Sequence, residues 1–442
     1  MNKITVTNAV SAPFHSGAGV YLYVTGREPV KLTFNIEDYA RIRGKFDTVA
    51  GEFAYFCAVI YGCDRLIKRD IGEGDRWTRE IAVEIPVDDP PRWDACKNTA
   101  EKMLEFLTGD LWRLSFVETS IPLFGSEFRK TRRKFRKRTP ANGTAVSLFS
   151  GGLDSLTGVV DWLEENPEKP LILASSYDAH AENAKDDQSR LLPKLSALYP
   201  DRVIRLVARS GLASKGDDGN FRSRSLTFLG NAVLAASVVG KGSEIAIPEN
   251  GAIALNYPIS SARSGSFSTR TVHPFFIEQF NILLDELGFD HRVENRYQLK
   301  TKGEVLKECQ NQKALQSLYA DSVSCGKRGR KMYWNDRHAY ACGYCVPCIF
   351  RQAAVYAADF PPEVYGCTVA DKGKWGRLDL LKPNSDLQTV IDFVQADLSE
   401  KKIWRKLRSN GQLKSESKAD YVDLIVRLRT ELASWLASVN LG

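Results

Sequence analysis

Two short stretches of this chain carry residue types at spacings that could do chemistry. The first is "AVSLFSGGLDSLTGVVDW", in which an apolar run breaks at Ser150-Gly151-Gly152-Leu153-Asp154-Ser155 and resumes with helical periodicity. Two residues without a Cβ let backbone N–H groups approach an anion, and the N-terminus of the following helix favours negative charge. Ser150 and Ser155 add hydroxyl donors. Asp154 would repel a phosphate, so a divalent cation is expected beside it. Neither GxGxxG nor GxxxxGK[ST] occurs at this turn, which excludes the two commonest nucleotide loops. The plain alternative is a turn followed by a helix-start acid.

The second stretch holds Cys342, Cys345 and Cys348 as CxxCxxC, with Cys325 seventeen residues before the first of them. Three thiolates at i, i+3 and i+6 do not share one face of a regular helix, but Gly343 and Pro347 allow turns that converge them. Cys325 then closes a tetrahedron, with His338 as the alternative fourth ligand. Zinc is the expected metal in a closed structural site, and an iron–sulfur cluster is the runner-up. Cys309 reads as a buried helix residue.

The elements that must position these residues change character along the chain. Residues 1–128 mix strands ("KITVTNA", "GVYLYVTG", "VKLTFNI") with two helical patterns, the second capped by Asp94, and read as a separate α+β domain for partner binding. Residues 129–144 read as a basic linker. From 145 to 310 apolar strands alternate with helices of 10 to 17 residues, which predicts an α/β fold with a doubly wound parallel sheet. Ligands of such sheets sit beyond the carboxyl ends of the strands, where the Ser-Gly-Gly turn lies. Residues 311–355 form the metal-binding region, and 356–442 a helical tail whose apolar stripes predict core packing.

Other residues fall near the same sheet edge. Glu249 and Asn250 end a strand where they could hydrogen-bond a purine-like base, and a strand-ending turn is the competing reading. Arg224 and Lys302 could neutralise phosphate or carboxylate charge. His180 and His273 are weaker candidates, and residues 260–271, "SSARSGSFSTRT", suit a loop that closes over a ligand.

Composition bounds the remaining choices. A chain of 442 residues predicts two or three domains, and a charged fraction of 26% excludes a largely disordered one. No stretch reaches 18 apolar residues and no secretory signal is present, so a cytoplasmic protein without a membrane span is expected, its nine cysteines reduced. The net charge of +7 is concentrated in Arg129–Arg138, which alone carries eight positive charges, leaving the rest near neutral. That block is either a nucleic-acid arm or a solvated linker, and the linker is the commoner case.

The SGGLDS stretch in its strand–turn–helix setting resembles the SGGxDS signature of the PP-loop ATP pyrophosphatases. That resemblance implies that Ser150, Gly151, Gly152, Leu153 and Ser155 hold the pyrophosphate of ATP while Asp154 orients Mg²⁺. AMP is then transferred to an oxygen of the substrate, with Asp154, Ser155, Arg224 and Lys302 as the catalytic set. Joined to the cysteines, to "RSLTFLG" and to "TKGEV", it narrows to the 7-cyano-7-deazaguanine synthases, over about residues 145–355. For that family a 7-deazaguanine carboxylate is adenylated on the way to a nitrile or amide. Departures are clear: "PENGAIALNYPI" replaces the family's Gly-Tyr-Pro-Asp segment, Ser225 replaces an Asn, and both ends of the chain are extra. In these the chain is similar to the synthase-like subunits of bacterial anti-phage defence operons, the Qat system above all. This implies a protein partner from the same operon and possible conjugation of the base to it. An RNA-modifying PP-loop enzyme and a non-catalytic scaffold are the alternatives.

Overall fold

The computed structural model describes residues 2–8, 19–42, 46–69, 78–119, 122–124, 129–130, 133, 143–178, 180, 184–219, 221–240, 242–259, 270–369 and 379–441. Ten strands form one sheet: β1 (Asn2–Asn8), β2 (Val20–Val24), β3 (Val30–Asn35), β4 (Glu80–Val87), β5 (Leu111–Glu118), β6 (Ala145–Leu148), β7 (Leu171–Tyr177), β8 (Val203–Leu212), β9 (Glu244–Ala246) and β10 (Arg292–Glu294). Their order is β10-β9-β6-β7-β8-β3-β2-β1-β4-β5. The first five in that order are parallel, as the strand–helix alternation predicts. The chain moves outward from β6 to β8 and then returns to β9 on the other side of β6. The crevice between β6 and β9 is therefore the topological switch point where such sheets bind ligands.

The N-terminal strands do not make a separate sheet. β3 pairs antiparallel with β8, setting Leu32 opposite Leu212 and Asn35 opposite Arg209, and β2, β1, β4 and β5 continue outward from it. The expectation of an independent domain over residues 1–128 is corrected on this point. The physical reason is legible in α1 (Thr48–Leu66), of which 17 of 19 residues are buried. A helix apolar on every side needs cover on every side. It finds this between the sheet and α5 (Arg224–Val239), where Gly230 lets the two helices touch: a Cβ there would lie 2.9 Å from Cys57 Sγ.

Helix α2 (Pro90–Thr108) begins earlier than the sequence pattern predicts. Its N-cap is Asp89, which accepts from Arg92 N at 3.4 Å, and Pro90-Pro91 occupy the first turn where no N–H partner is needed. Asp94 lies inside the helix. The remaining α-helices of five or more described residues are α3 (Leu153–Glu165), α4 (Ala184–Leu198), α6 (Gly251–Leu255), α7 (Pro274–Glu286), α8 (Lys302–Lys307), α9 (Gln312–Leu318), α10 (Val346–Ala357), α11 (Asp386–Gln395), α12 (Glu400–Ser409) and α13 (Lys418–Ser438).

Both faces of the parallel sheet are buried. Along β7, Ile172 and Ala174 join a core shared with α1, α2, α5 and α7, whereas Leu171 and Leu173 join a second core with α3, α4 and α9. A third core joins the cysteine region to the C-terminal helices, with Trp334, Ile349, Val390, Leu424 and Leu428 at its centre. The C-terminal helices are thus packed into the body of the protein, in accord with the core-packing expectation. Among the described residues no helix is long and apolar enough to cross a membrane.

A chain shortened to begin at residue 143 would bare the β3-facing edge of β8 and the α1-facing side of α5. We predict that it loses cooperative thermal unfolding by circular dichroism. A sharp two-state melt of that fragment would show that the parallel half folds alone.

Candidate functional site

The turn after β6 is tightly constrained. Gly151 adopts φ +83°, which a side chain would strain, and a Cβ there would lie 3.0 Å from Gln188 N and 3.1 Å from Asp187 Cβ. Ser150 Oγ accepts from Gly152 N at 3.2 Å and lies 3.2 Å from Ser155 Oγ, which donates to Gly152 O at 2.9 Å. The two hydroxyls therefore meet over the first turn of α3. Leu153 and Asp154 are the first residues of that helix, whose dipole adds positive character at this point.

Asp154 has its counter-charge within the protein. Lys302 Nζ donates to Asp154 Oδ2, and both residues are less than a tenth exposed. Asn250 Nδ2 donates to Asp154 Oδ1 at 3.3 Å and to Glu249 Oε1 at 3.4 Å. Glu249 is the second carboxyl of the cluster: burial, and then the charge of Asp154, push it well above the usual carboxylate range. The site thus holds Asp154, Lys302 and Glu249, whose carboxyl burial pushes above the usual range, beside the switch point of the sheet.

Lys302 is held in place by the C-terminal helix. Thr301 caps α8 with a capping box, its hydroxyl accepting from Glu304 N while Glu304 accepts from Thr301 N at 2.9 Å. Glu431 of α13 then accepts from Thr301 Oγ1 at 2.6 Å and from Gly303 N at 3.1 Å, and Arg427 pairs with Glu304. A carboxylate from α13 therefore grips the first turn of the helix that carries the lysine.

The cysteines also reach the turn. Cys325, Cys342, Cys345 and Cys348 bring their sulfurs within 4.8 Å of one another. Cys345 Sγ lies 3.3 Å and Cys342 Sγ 3.7 Å from Cys348 Sγ, near the roughly 3.8 Å edge of a tetrahedron with metal–sulfur bonds of about 2.3 Å. Backbone N–H groups of Lys327 and Cys342 point at Cys325 Sγ (3.4 and 3.3 Å), and those of Tyr344 and Cys345 at Cys342 Sγ (3.4 and 3.2 Å), as thiolate ligands require. Four soft donors in this shape fit a metal such as zinc. His338 is exposed and stands outside the group, and Cys309 is buried in the second core. Immediately before Cys325, Val323 N donates to Gly151 O at 3.1 Å and Ser324 Oγ accepts from Leu153 N at 3.4 Å. Arg328, just after it, pairs with Asp187 at 2.5 Å, behind Gly151.

The structure therefore brings together Ser150, Gly151, Gly152, Leu153, Asp154, Ser155, Lys302, Glu249 and Asn250. Asn250 differs from the sequence expectation: it is fully buried, caps α6 by accepting from Ile253 N at 3.2 Å, and its amide nitrogen faces the two carboxyls, so it braces Asp154 and presents nothing to a base. Arg224 stands at the β7–β8 side of the sheet edge, without a hydrogen bond to the turn among the described residues. His180 Nε2 lies 3.0 Å from Ala213 O. His273 caps α7 through Nδ1, and burial, with Arg270 nearby, lowers its pKa to about 3, so it is a structural neutral histidine. The loop at 260–269 and most of Arg129–Arg138 lie outside the described residues. Sequence reasoning missed Asp187, Ser324, Arg328 and Glu431. Only Ser324 had a signal, its place beside a predicted metal ligand. Comparison with protein-family models, curated proteins and solved structures finds no match.

Glu431 generates a pH prediction. Burial raises its pKa from 4.5 to about 6 in the folded protein, so its proton stabilises the fold fully below the unfolded value and that contribution is lost as pH rises through about 6. The difference is about 2 kcal/mol. Urea unfolding of wild type and Glu431→Gln should show the variant gaining about that much relative to wild type between pH 4 and pH 7. A pH-independent difference would contradict the buried grip on α8.

Proposed function

We propose that this chain is a PP-loop enzyme that uses ATP to adenylate a carboxylate, releasing pyrophosphate, and that its acceptor is a 7-deazaguanine carboxylate taken to a nitrile or amide. The observation that carries the reading is the turn itself. Ser150, Gly151, Gly152 and Ser155 converge two hydroxyls and a helix N-terminus on one point beside the switch crevice, and that chemistry suits a pyrophosphate. Lys302 extends the positive character, and its pairing with Asp154 keeps the aspartate from opposing a phosphate.

In this reading Ser150, Ser155 and the Gly151 N–H bind and orient the departing pyrophosphate, which also draws the Gly152 and Leu153 N–H groups away from the Ser150 and Ser324 hydroxyls. Lys302 offsets its developing charge. Asp154 and Glu249 are the groups that would hold Mg²⁺, which supplies charge neutralisation across the phosphates when bound. The cysteine site is a structural zinc that fixes residues 323–328 against the turn. A place in a bacterial anti-phage defence system, in the cytoplasm and with a protein partner that receives the activated base, completes the proposal. It rests on the resemblance of the motifs.

The test is turnover of ATP by the purified chain with a 7-deazaguanine carboxylate and ammonia, whose nitrogen attacks the acyl adenylate and displaces AMP. AMP and pyrophosphate are expected, and Asp154→Asn should lower the rate at least about a hundredfold while leaving circular dichroism unchanged. Unaltered turnover in that variant would remove Asp154 from the chemistry, and ADP with phosphate as products would overturn the reaction class.

A further inference from the structure

A second cluster lies one strand away, where the N-terminal half meets the parallel half. Arg65, in the last turn of α1, is only 3% exposed, and its Nε and one terminal nitrogen have no hydrogen-bond partner. Its guanidinium lies 3.9 Å from the centre of the Phe221 ring, and the guanidinium of Arg224 lies 5.9 Å from the centre of the same ring. Among the described residues neither side chain forms an ion pair. Both act on one hydroxyl, that of Tyr61, whose pKa is raised by burial and by Asp178 and lowered by the two arginines.

The acid bonded to Tyr61 is engaged elsewhere. Asp178, directly after β7, accepts from Tyr61 at 2.8 Å through Oδ2 and from His180 N at 2.8 Å through Oδ1. Two guanidiniums therefore stand near Tyr61, whose hydroxyl donates to a carboxylate with both oxygens already engaged. A buried arginine without a partner is unfavourable unless an anion joins it.

The placement is fixed from both sides. Asp64, beside Arg65, accepts from Ser223 N at 3.2 Å and Ser223 Oγ at 2.5 Å, and Ser223 caps α5, which begins with Arg224. Ser176 at the end of β7 donates to Thr227 at 3.0 Å, and Thr227 donates back to Arg224 O at 2.8 Å. The two arginines are therefore preorganised on the sheet edge that also carries the Ser-Gly-Gly turn.

We propose that Arg65 and Arg224 form an oxyanion-binding pair that the N-terminal half completes, its ligand a carboxylate or phosphate whose flat or tetrahedral oxygens match the guanidinium fork. On this account residues 1–118 supply a binding residue as well as sheet. The site stands whether or not the turn after β6 handles ATP. A carboxylate would come from the acceptor molecule, and a phosphate from a nucleotide.

Calorimetric titration of the full chain at low salt with sodium phosphate and with sodium benzoate tests this. At least one probe should bind wild type. Arg65→Met and Arg224→Met should each weaken it about tenfold or more, Arg65→Lys should weaken it less, and Lys402→Met, at an exposed lysine of α12, should leave it within about twofold. Preference for benzoate assigns the acceptor and preference for phosphate the nucleotide. If Arg65→Met does not fold by circular dichroism, Arg224→Met and Arg65→Lys carry the comparison. Failure of both probes to bind wild type, or binding unchanged by the arginine substitutions, would overturn the pair. ATP turnover by wild type together with probe binding unchanged by the arginine substitutions would overturn the pair and leave the reading of the turn standing.

Discussion

The ion pair between Lys302 and Asp154 is the contact on which the rest of the site depends. Asp154 lies in the first turn of α3, under a loop shaped for an anion, where an uncompensated carboxylate would work against its surroundings. Lys302 supplies the compensation from 148 residues further along the chain. Both groups are buried, so breaking the pair by removing one partner would cost roughly 3–5 kcal/mol, most of it from the charge left behind. The pair also imposes a demand on the fold: α8 must be held against α3. Glu431 and Arg427 of the C-terminal helix meet that demand by gripping Thr301, Gly303 and Glu304.

The same logic extends to the other side of the turn. Residues 323 and 324 hydrogen-bond Gly151 and Leu153, and the next residue is a member of the four-cysteine group. A metal on those sulfurs would stiffen a segment that buttresses the loop, and so the cysteines are coupled to the site without touching a ligand. The N-terminal half contributes through α1, which covers α5 and ends in Arg65. Segments that look like additions to the parallel-sheet core are thus each fastened to one part of it.

Much of this was legible in the sequence, and what was not shares a cause. The SGGLDS turn, the parallel strands and the cysteine cluster announce themselves because their chemistry is local: spacing, β-branched content and glycine placement. Lys302 could be named from its TKGE setting, but its pairing with Asp154 could not, because sequence separation hides contact. Asn250 and His273 show why such residues stay ambiguous in a sequence: polar residues at element ends look available for ligands, while in the fold they cap helices. The continuity of the sheet was hidden because edge pairing between β3 and β8 leaves no periodic trace, although the all-apolar α1 signalled that something had to cover it. Glu431 was invisible in an amphipathic helix, where a single inward acid reads as noise.

The account's central claim is that the turn after β6 grips the pyrophosphate end of ATP with Asp154 beside it. A crystal structure of the protein with Mg²⁺ and the non-cleavable α,β-methylene analogue of ATP tests it most directly. The account predicts the β- and γ-phosphates on the N–H groups of residues 151–153 and on the Ser150 and Ser155 hydroxyls, with the metal against Asp154. An analogue whose phosphates lie elsewhere, with Ser150, Ser155 and Asp154 untouched, would contradict it.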